Sequence, residues 1–362
     1  MKNQETKKIK VGVYDPFLDT LGGGEKYILS ILEVFAEQGC EINVFWDKDL
    51  SKEIKDRFSF RSIDRLKWIN KKNLKNLWVY DYFFYITDGS YFFSGAKKNF
   101  VYAMIPDKKL YSLSLINKFK LINYQFITHS LFTQKWFNKF GIKSTVIMPY
   151  LDNKLIKQDE NSFKKEKIIL SVGRFFSHLH SKKQDLIIKA FKDLKNKSKE
   201  FADYKLILAG GLMKEDQKYF NQLKSLAKND SSIIFKPNLS LYELYKLYEL
   251  SNYFWHFTGY GVDEEKNPEL VEHFGITPLE AMTSSCLTFC YSAGGPKELI
   301  IDGENGFLFS TVDELIYKMI KVNTNKDLKE KIINNGRRFA KENFSYEMFK
   351  EKVLSLIKVR PK

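Results

Sequence analysis

An α/β chain of two parallel-sheet domains, each an open sheet flanked by helices, is the architecture this sequence predicts. Three observations carry it. Short apolar runs alternate with amphipathic stretches along most of the 362 residues. The alternation lapses once, in the polar segment Pro149–Lys167, and the length exceeds what one ordinary core holds, since domains cluster at about 100 to 200 residues. Hydrophobic residues make up 44% and aromatics 15%, enough for packed cores, and no repeat or low-complexity tract is present.

The opening KIKVGVYDPFLDTLGGGEKYILSILEVFAEQGCEINVFW is a strand, a glycine loop, a helix and a strand. KVGVY is a short apolar run; Ile28, Leu29, Ile31, Leu32 and Phe35 recur at helical spacing, and Gly39 stops the helix. Further strands fall at VYDYFFYITD, NFVYAMI, QFITHS and STVIMP. After the polar segment the pattern restarts. IILSVGRF, YKLILAGG, SIIFKP, YFWHF and LTFCYS are strand-like, and they alternate with the helix-like QDLIIKAFKDLKN, QKYFNQLKSLAKN, SLYELYKLYELSN and TPLEAMTSS. The tail SYEMFKEKVLSLIKVR is a helix with Phe349, Val353 and Ile357 on one stripe. Two Rossmann-like domains facing a central cleft follow, with ligands expected where strand ends and helix N-termini gather.

Composition bounds the function. Cys40, Cys286 and Cys290 are few, odd in number and without zinc spacing, as packing residues of a reducing compartment would be. No secretory h-region follows MKNQETKKIK, and no apolar run reaches about 18 residues, so the expectation is a cytoplasmic chain, soluble or peripheral at the inner face of the membrane. Net charge is +15, of which residues 1–158 carry +10. Within that half, residues 97–143 hold nine Lys against one acid, Asp107, interleaved with aromatics. A solvated lysine face explains this, as do an anionic membrane surface and a phosphorylated partner. Nucleic acid is a third partner that the charge suggests, but no helix-turn-helix or RNA-binding motif supports it.

Four loops at strand ends concentrate the chemistry. TLGGGEKY places Gly22, Gly23 and Gly24 between a strand and a helix, where they serve either as a tight turn or as a loop that approaches an anion. It is not the dinucleotide fingerprint, because Tyr27 stands where the third glycine would be. SVGRFFSHLHSKKQD puts Arg174 at a strand end, with Lys182 and Lys183 before the next helix, a set of cations suited to a diphosphate. In EHFGITPLEAM, Thr277, Pro278 and Glu280 match a capping box, which accounts for Glu280 without any ligand. Glu272 is not so explained. It lies upstream of the amides of Gly275, Ile276 and Thr277, and two carboxylates beside an anion site suit hydroxyls such as those of a ribose and a sugar. Finally, YSAGGPKEL repeats the device with Gly294, Gly295 and Pro296. The acids Asp263, Glu264 and Glu265 form a solvated loop in this reading, with contacts to the sugar as the alternative, and DKD at 47–49 is a chance match to a metal-binding pattern.

These residues resemble the retaining glycosyltransferases of family 4, which have the GT-B fold. The resemblance rests on E-x7-E at Glu272 and Glu280, VGR at Arg174, the following Lys182, and GG-x-x-E with DG-x-NGF from Gly294 to Phe307. Looser matches are GGGEKY, HSLFTQKWF and MPYLD in the first half. The resemblance implies an acceptor-binding domain at 1–158, a nucleotide-sugar-binding domain at 159–340, and a helix at 341–362 crossing back to the first. It also implies catalytic roles for Glu272, Arg174 and Lys182. Donor contacts would come from Glu280, Gly275, Ile276, Thr277, Gly294, Gly295 and Lys183, and an acceptor or phosphate loop from Gly22, Gly23 and Gly24. The implied reaction moves a sugar from a nucleotide sugar to a glycan or lipid-linked acceptor, with retention and with neither metal nor cofactor. A nucleotide-sugar epimerase of the same fold is the alternative. The chain departs from many relatives at Ile105-Pro106, where a first-domain His is common, and His129 is treated as structural.

Overall fold

The structure is a computed structural model that describes residues 8–58, 60–156 and 164–357. It divides into two compact units, one running to Pro149 and resuming at Glu347, the other spanning Tyr150–Tyr346.

The first unit holds a seven-stranded sheet ordered β3-β2-β1-β4-β5-β6-β7. Its strands are β1 (Lys10–Tyr14), β2 (Glu41–Phe45), β3 (Leu66–Ile69), β4 (Tyr82–Ile86), β5 (Lys98–Tyr102), β6 (Tyr124–Thr128) and β7 (Ser144–Val146), and every pairing is parallel. Parallel strands need crossovers, and the helix Gly23–Glu37 supplies the first, burying Ile28, Leu29, Ile31, Leu32 and Phe35 as its periodicity predicts. The helix Tyr346–Ile357 closes this unit. Phe349 meets the Tyr27 ring at 6.1 Å, Lys350 pairs with Glu37 at 2.6 Å, and Val353 is fully buried. The side chain of Ile357 lies outside the described residues.

The second unit holds a six-stranded parallel sheet ordered β10-β9-β8-β11-β12-β13. Its strands are β8 (Glu166–Val172), β9 (Lys205–Gly210), β10 (Ile233–Pro237), β11 (Ser251–His256), β12 (Leu287–Tyr291) and β13 (Phe307–Phe309). Successive residues feed opposite faces: Ile169 and Trp255 enter one core, Leu170 and Phe254 the other. That two-sided burial is why these strands are continuous apolar runs.

The structure departs from expectation in places. The polar segment contains a helical turn, Asn153–Ile156, whose Leu155 packs into the second unit's core, so the contact boundary falls at Pro149/Tyr150 rather than at 158/159. Part of the expected linker, 157–163, lies outside the described residues. β3 and β13 escaped the sequence pattern because one is a short edge strand with Lys67 in it and the other spans only Phe307–Phe309. The three cysteines are buried and unpaired.

Candidate active site

In each sheet the strand order reverses once, and such a switch point opens a crevice at the carboxyl ends of the two flanking strands. In the second unit it lies between β8 and β11, because β8 leads to β9 on one side and β11 to β12 on the other. Arg174 and Lys182 follow β8, and Glu272 follows β11. The fold therefore brings together residues 90 positions apart.

Lys182 Nζ donates to Glu272 Oε2 at 2.6 Å, and both side chains are only 16% exposed. His256, the last residue of β11 and itself buried, places Nε2 3.0 Å from the same oxygen. Burial alone would raise the Glu272 carboxyl, but the Lys182 charge and the His256 hydrogen bond outweigh it and hold the group well below the usual carboxylate range. Burial drives His256 down from its ordinary 6.5, against the opposing pull of Glu272. The lysine stem passes over Gly173, where an added Cβ would lie 2.3 Å from Lys182 Cγ.

The helix Ile276–Thr283 begins one turn beyond Glu272. The helix does not open on the expected capping box. The N-cap is Gly275, in a left-handed conformation at φ +107°, and Thr277 is already helical. Glu280 does not reach back to the helix start for its observed bond; it accepts from Tyr248 Oη at 2.9 Å, 32 residues away, and is buried at 8% exposure. The amides of Gly275, Ile276 and Thr277 open the helix and lack intrahelical acceptors, as first-turn amides must.

Gly294 and Gly295 also differ from expectation. Their amides face protein: Gly294 N–H donates to Glu264 at 2.7 Å and Gly295 N–H to the Glu272 carbonyl at 2.8 Å. A Cβ on Gly294 would stand 2.1 Å from that carbonyl oxygen, and one on Gly295 would stand 2.3 Å from Phe274 O. The glycine pair is therefore a close-packing device that seats the Glu272–Phe274 backbone. Glu264, expected in a solvated loop, is 16% exposed and also pairs with Lys297.

Arg174 is half-exposed, with its guanidinium 4.6 Å from the Phe176 ring centre and Nε 3.8 Å from Asp216. Lys183 sits at the N-cap of the helix Gln184–Lys197 with φ +53°. The DG-x-NG turn is structural: Asn305 accepts from Ile301 N–H and donates to Leu299 O, and Asp302 accepts from Leu308 N–H. In the first unit, Gly22 N–H donates to Glu25 Oε2 at 2.6 Å, closing the turn, and Gly24 makes room for Met104. Gly23 has nothing within 4 Å of its Cβ position. His129 is buried edge-on to Tyr27 and Tyr102. Both acids of the DKD segment accept from backbone: Asp49 closes a local turn on Ser51 N–H, and Asp47 accepts from Lys71 N–H, 24 residues away.

Sequence reasoning missed three histidines beside Glu272. Besides His256, the rings of His180 and His273 lie 5.4 Å apart, and burial lowers them from 6.5 to about 4 and about 3, respectively. A strand-end position in YFWHF was the available signal. These values carry a pH prediction. The unfolded chain takes up a proton near pH 6.5 that buried His273 refuses, so stability falls as pH drops below 6.5. His273 alone should cost about 1.4 kcal/mol at pH 5.5 relative to 7.5. Urea denaturation should show this loss in the native protein, with a smaller loss in His273→Asn; an equal slope in both would contradict it.

Two doubly wound parallel sheets, the second with cations, acids and a helix N-terminus at its switch point, define the GT-B class. The chain belongs to the glycosyl transferases group 1 family, whose model matches residues 152–339. Over 171 residues it is 30% identical to the alpha-1,3/1,6-mannosyltransferase alg2 of Schizosaccharomyces pombe, covering 39% of this chain and 30% of that one. It is 33% identical over 98 residues to a sucrose synthase of Melioribacter roseus, covering 25% of this chain and 12% of that enzyme. The chain thus spans under a third of either relative. Among solved structures, the fold matches HepE (Alr3699) of Anabaena, determined with UDP and glucose, at a TM-score of 0.72 and 14% identity, covering 97% of this chain and all of that one. A glycosyltransferase of Rickettsia africae matches at 0.73 and 19%, covering 97% and 98%.

Proposed function

We propose that this protein moves a sugar from a nucleoside-diphosphate sugar to a hydroxyl-bearing acceptor with retention of configuration, fixed cations rather than a divalent metal neutralising the departing diphosphate. The observation that carries this reading is the Lys182–Glu272 pair spanning the β8/β11 switch point. Glu272 aims the ammonium, and ionised Glu272 retains lone pairs for sugar hydroxyls. Arg174 adds a planar cation for the diphosphate, and the first-turn amides from Gly275 to Thr277 add fixed dipoles where negative charge grows. Glu280, held by Tyr248, is assigned to the ribose, and Lys183 to the donor phosphates. With the Gly294 and Gly295 amides engaged internally, those two residues act by shaping the Glu272 loop.

In the step proposed, the bond from the anomeric carbon to the phosphate oxygen breaks through an oxocarbenium-like state. The acceptor oxygen bonds to the same face, and its proton passes to the leaving phosphate. The UDP and glucose held by HepE make UDP-glucose the first donor to try. The second unit is assigned to the donor. The acceptor, a lipid-linked or envelope glycan, is assigned to the basic first unit, with residues 97–143 toward an anionic membrane at its cytoplasmic face. Among the described residues no helix is long and apolar enough to cross a membrane.

The test is release of nucleoside diphosphate from a panel of nucleotide sugars, with lipid-linked acceptors, with and without EDTA, and NMR of the product linkage. Retention and EDTA-insensitive turnover are expected. Inversion, a strict metal requirement, or an epimerised donor formed without acceptor would each overturn the corresponding part.

A further inference from the structure

We propose that the first unit docks on an anionic lipid bilayer by inserting an apolar face centred on the helix Leu115–Lys120, an inference that rests on the membrane-side acceptor reading above. Amphipathic helices turn their apolar stripe toward the core. This one does the reverse. Leu115, Ile116 and Phe119 are 85%, 68% and 65% exposed, and Ile122 just beyond the helix is 74% exposed. The spacing 115, 116, 119, 122 places them on one side, while Leu121 and Tyr111 fill the core beneath.

The face extends past the helix. Phe93, 59% exposed, stands edge-on to Phe119 with ring centres 5.4 Å apart. Trp78, 75% exposed, adjoins Gly95, where an added Cβ would meet Trp78 Cβ at 3.4 Å. Single exposed apolar residues are ordinary, whereas Leu115, Ile116, Phe119 and Ile122 on one side of a short helix, with Phe93 packed on Phe119, mark an interaction surface.

Charge selects the occupant. Lys118 and Lys120 interleave with the apolar residues, exposed Lys72 and Lys75 precede Trp78, and Asp107, the one acid among residues 97–143, spends a carboxylate oxygen on Lys109 N–H. A second copy of this face would set lysines against lysines. A bilayer with anionic headgroups offers an apolar interior for Leu, Ile and Phe, an interfacial zone for Trp, and counter-charge for the lysines.

The experiment is co-sedimentation of the whole protein with phosphatidylcholine vesicles and with vesicles of phosphatidylcholine and phosphatidylglycerol, at low and high salt. Binding to the anionic vesicles is expected, with a blue shift of tryptophan emission that Trp78→Phe reduces. The double variant I116S/F119S should lose at least about tenfold in partition. K118Q/K120Q should lose binding to anionic vesicles as well. Both should keep the native melting temperature and the native response to nucleoside diphosphates, so failure here leaves the donor reading standing, and the reverse. Equal partition by I116S/F119S and native protein would overturn the proposal, as would no preference for anionic vesicles. A concentration-dependent dimer abolished by I116S/F119S, without vesicle binding, would reassign the face to a second copy.

Discussion

Lys182→Met is expected to lower kcat by about 10²–10³-fold and to destabilise the second unit by about 3 kcal/mol. The two losses have one origin. Lys182 is the cation assigned to the leaving diphosphate, and it is also the charge that lets Glu272 remain ionised in a buried position. Without it, the burial that opposes ionisation prevails over the His256 hydrogen bond alone, and the Glu272 carboxyl titrates upward. The sign of the pH effect follows. In the native protein the depressed carboxyl contributes stability above the unfolded value, and that stability is lost as pH falls through the acid range. In the variant the carboxyl lies above the unfolded value, so the deficit is largest at neutral pH and shrinks as pH is lowered. Melting should drop by about 6–12 °C at pH 7.5. The double variant K182M/E272Q, with no charge left to bury, should recover most of that stability and none of the activity. Recovery of both would mean that the lysine is a structural partner and no more.

Gly294→Ala is the second large effect. The new Cβ would sit 2.1 Å from the Glu272 carbonyl oxygen and 2.9 Å from Val271, at φ +63°. Neither neighbour can yield without moving the segment that carries Glu272. A loss of at least about 4 kcal/mol is expected, above the ~1–2 kcal/mol that left-handed backbone alone imposes on a side chain. Gly303→Ala separates the two causes, because Gly303 has φ +77° but nothing within 4 Å of its Cβ position. It should cost only the backbone part. Equal losses in denaturant titrations of the two variants would remove close packing from the explanation.

Both predictions depend on contacts that differ in how visible they are in the chain. The sheets were legible because strands buried on both faces are continuous apolar runs, and strand-end glycines and cations stood out against them. Arg174, Lys182 and Glu272 could be selected as residue types at strand ends. Their meeting could not, because Lys182 and Glu272 are 90 residues apart and only the strand order places β8 beside β11. T-P-L-E read as a capping box because that pattern is local, whereas the helix starts at its N-cap Gly275 and Glu280 accepts a hydrogen bond from Tyr248, on another helix. Likewise Gly294 and Gly295 resembled an anion-binding turn, and what they accommodate is the backbone at Glu272 and Phe274. Of the histidines at 180, 256 and 273, only His256 carried a signal, its place at the end of the strand-like YFWHF. Their depressed values are a property of burial, which a sequence does not display at single residues.

The central claim is that the β8/β11 switch point holds a nucleoside diphosphate through Lys182 and Arg174. Thermal melting with UDP, GDP, ADP, CMP and dTDP, with and without EDTA, tests it directly. One diphosphate at 100 times its Kd should add about 2.7 kcal/mol of stability, unaffected by EDTA, and the increment should vanish in Arg174→Ala and K182M/E272Q. No shift with any nucleotide, or a shift that both variants retain in full, would contradict the account.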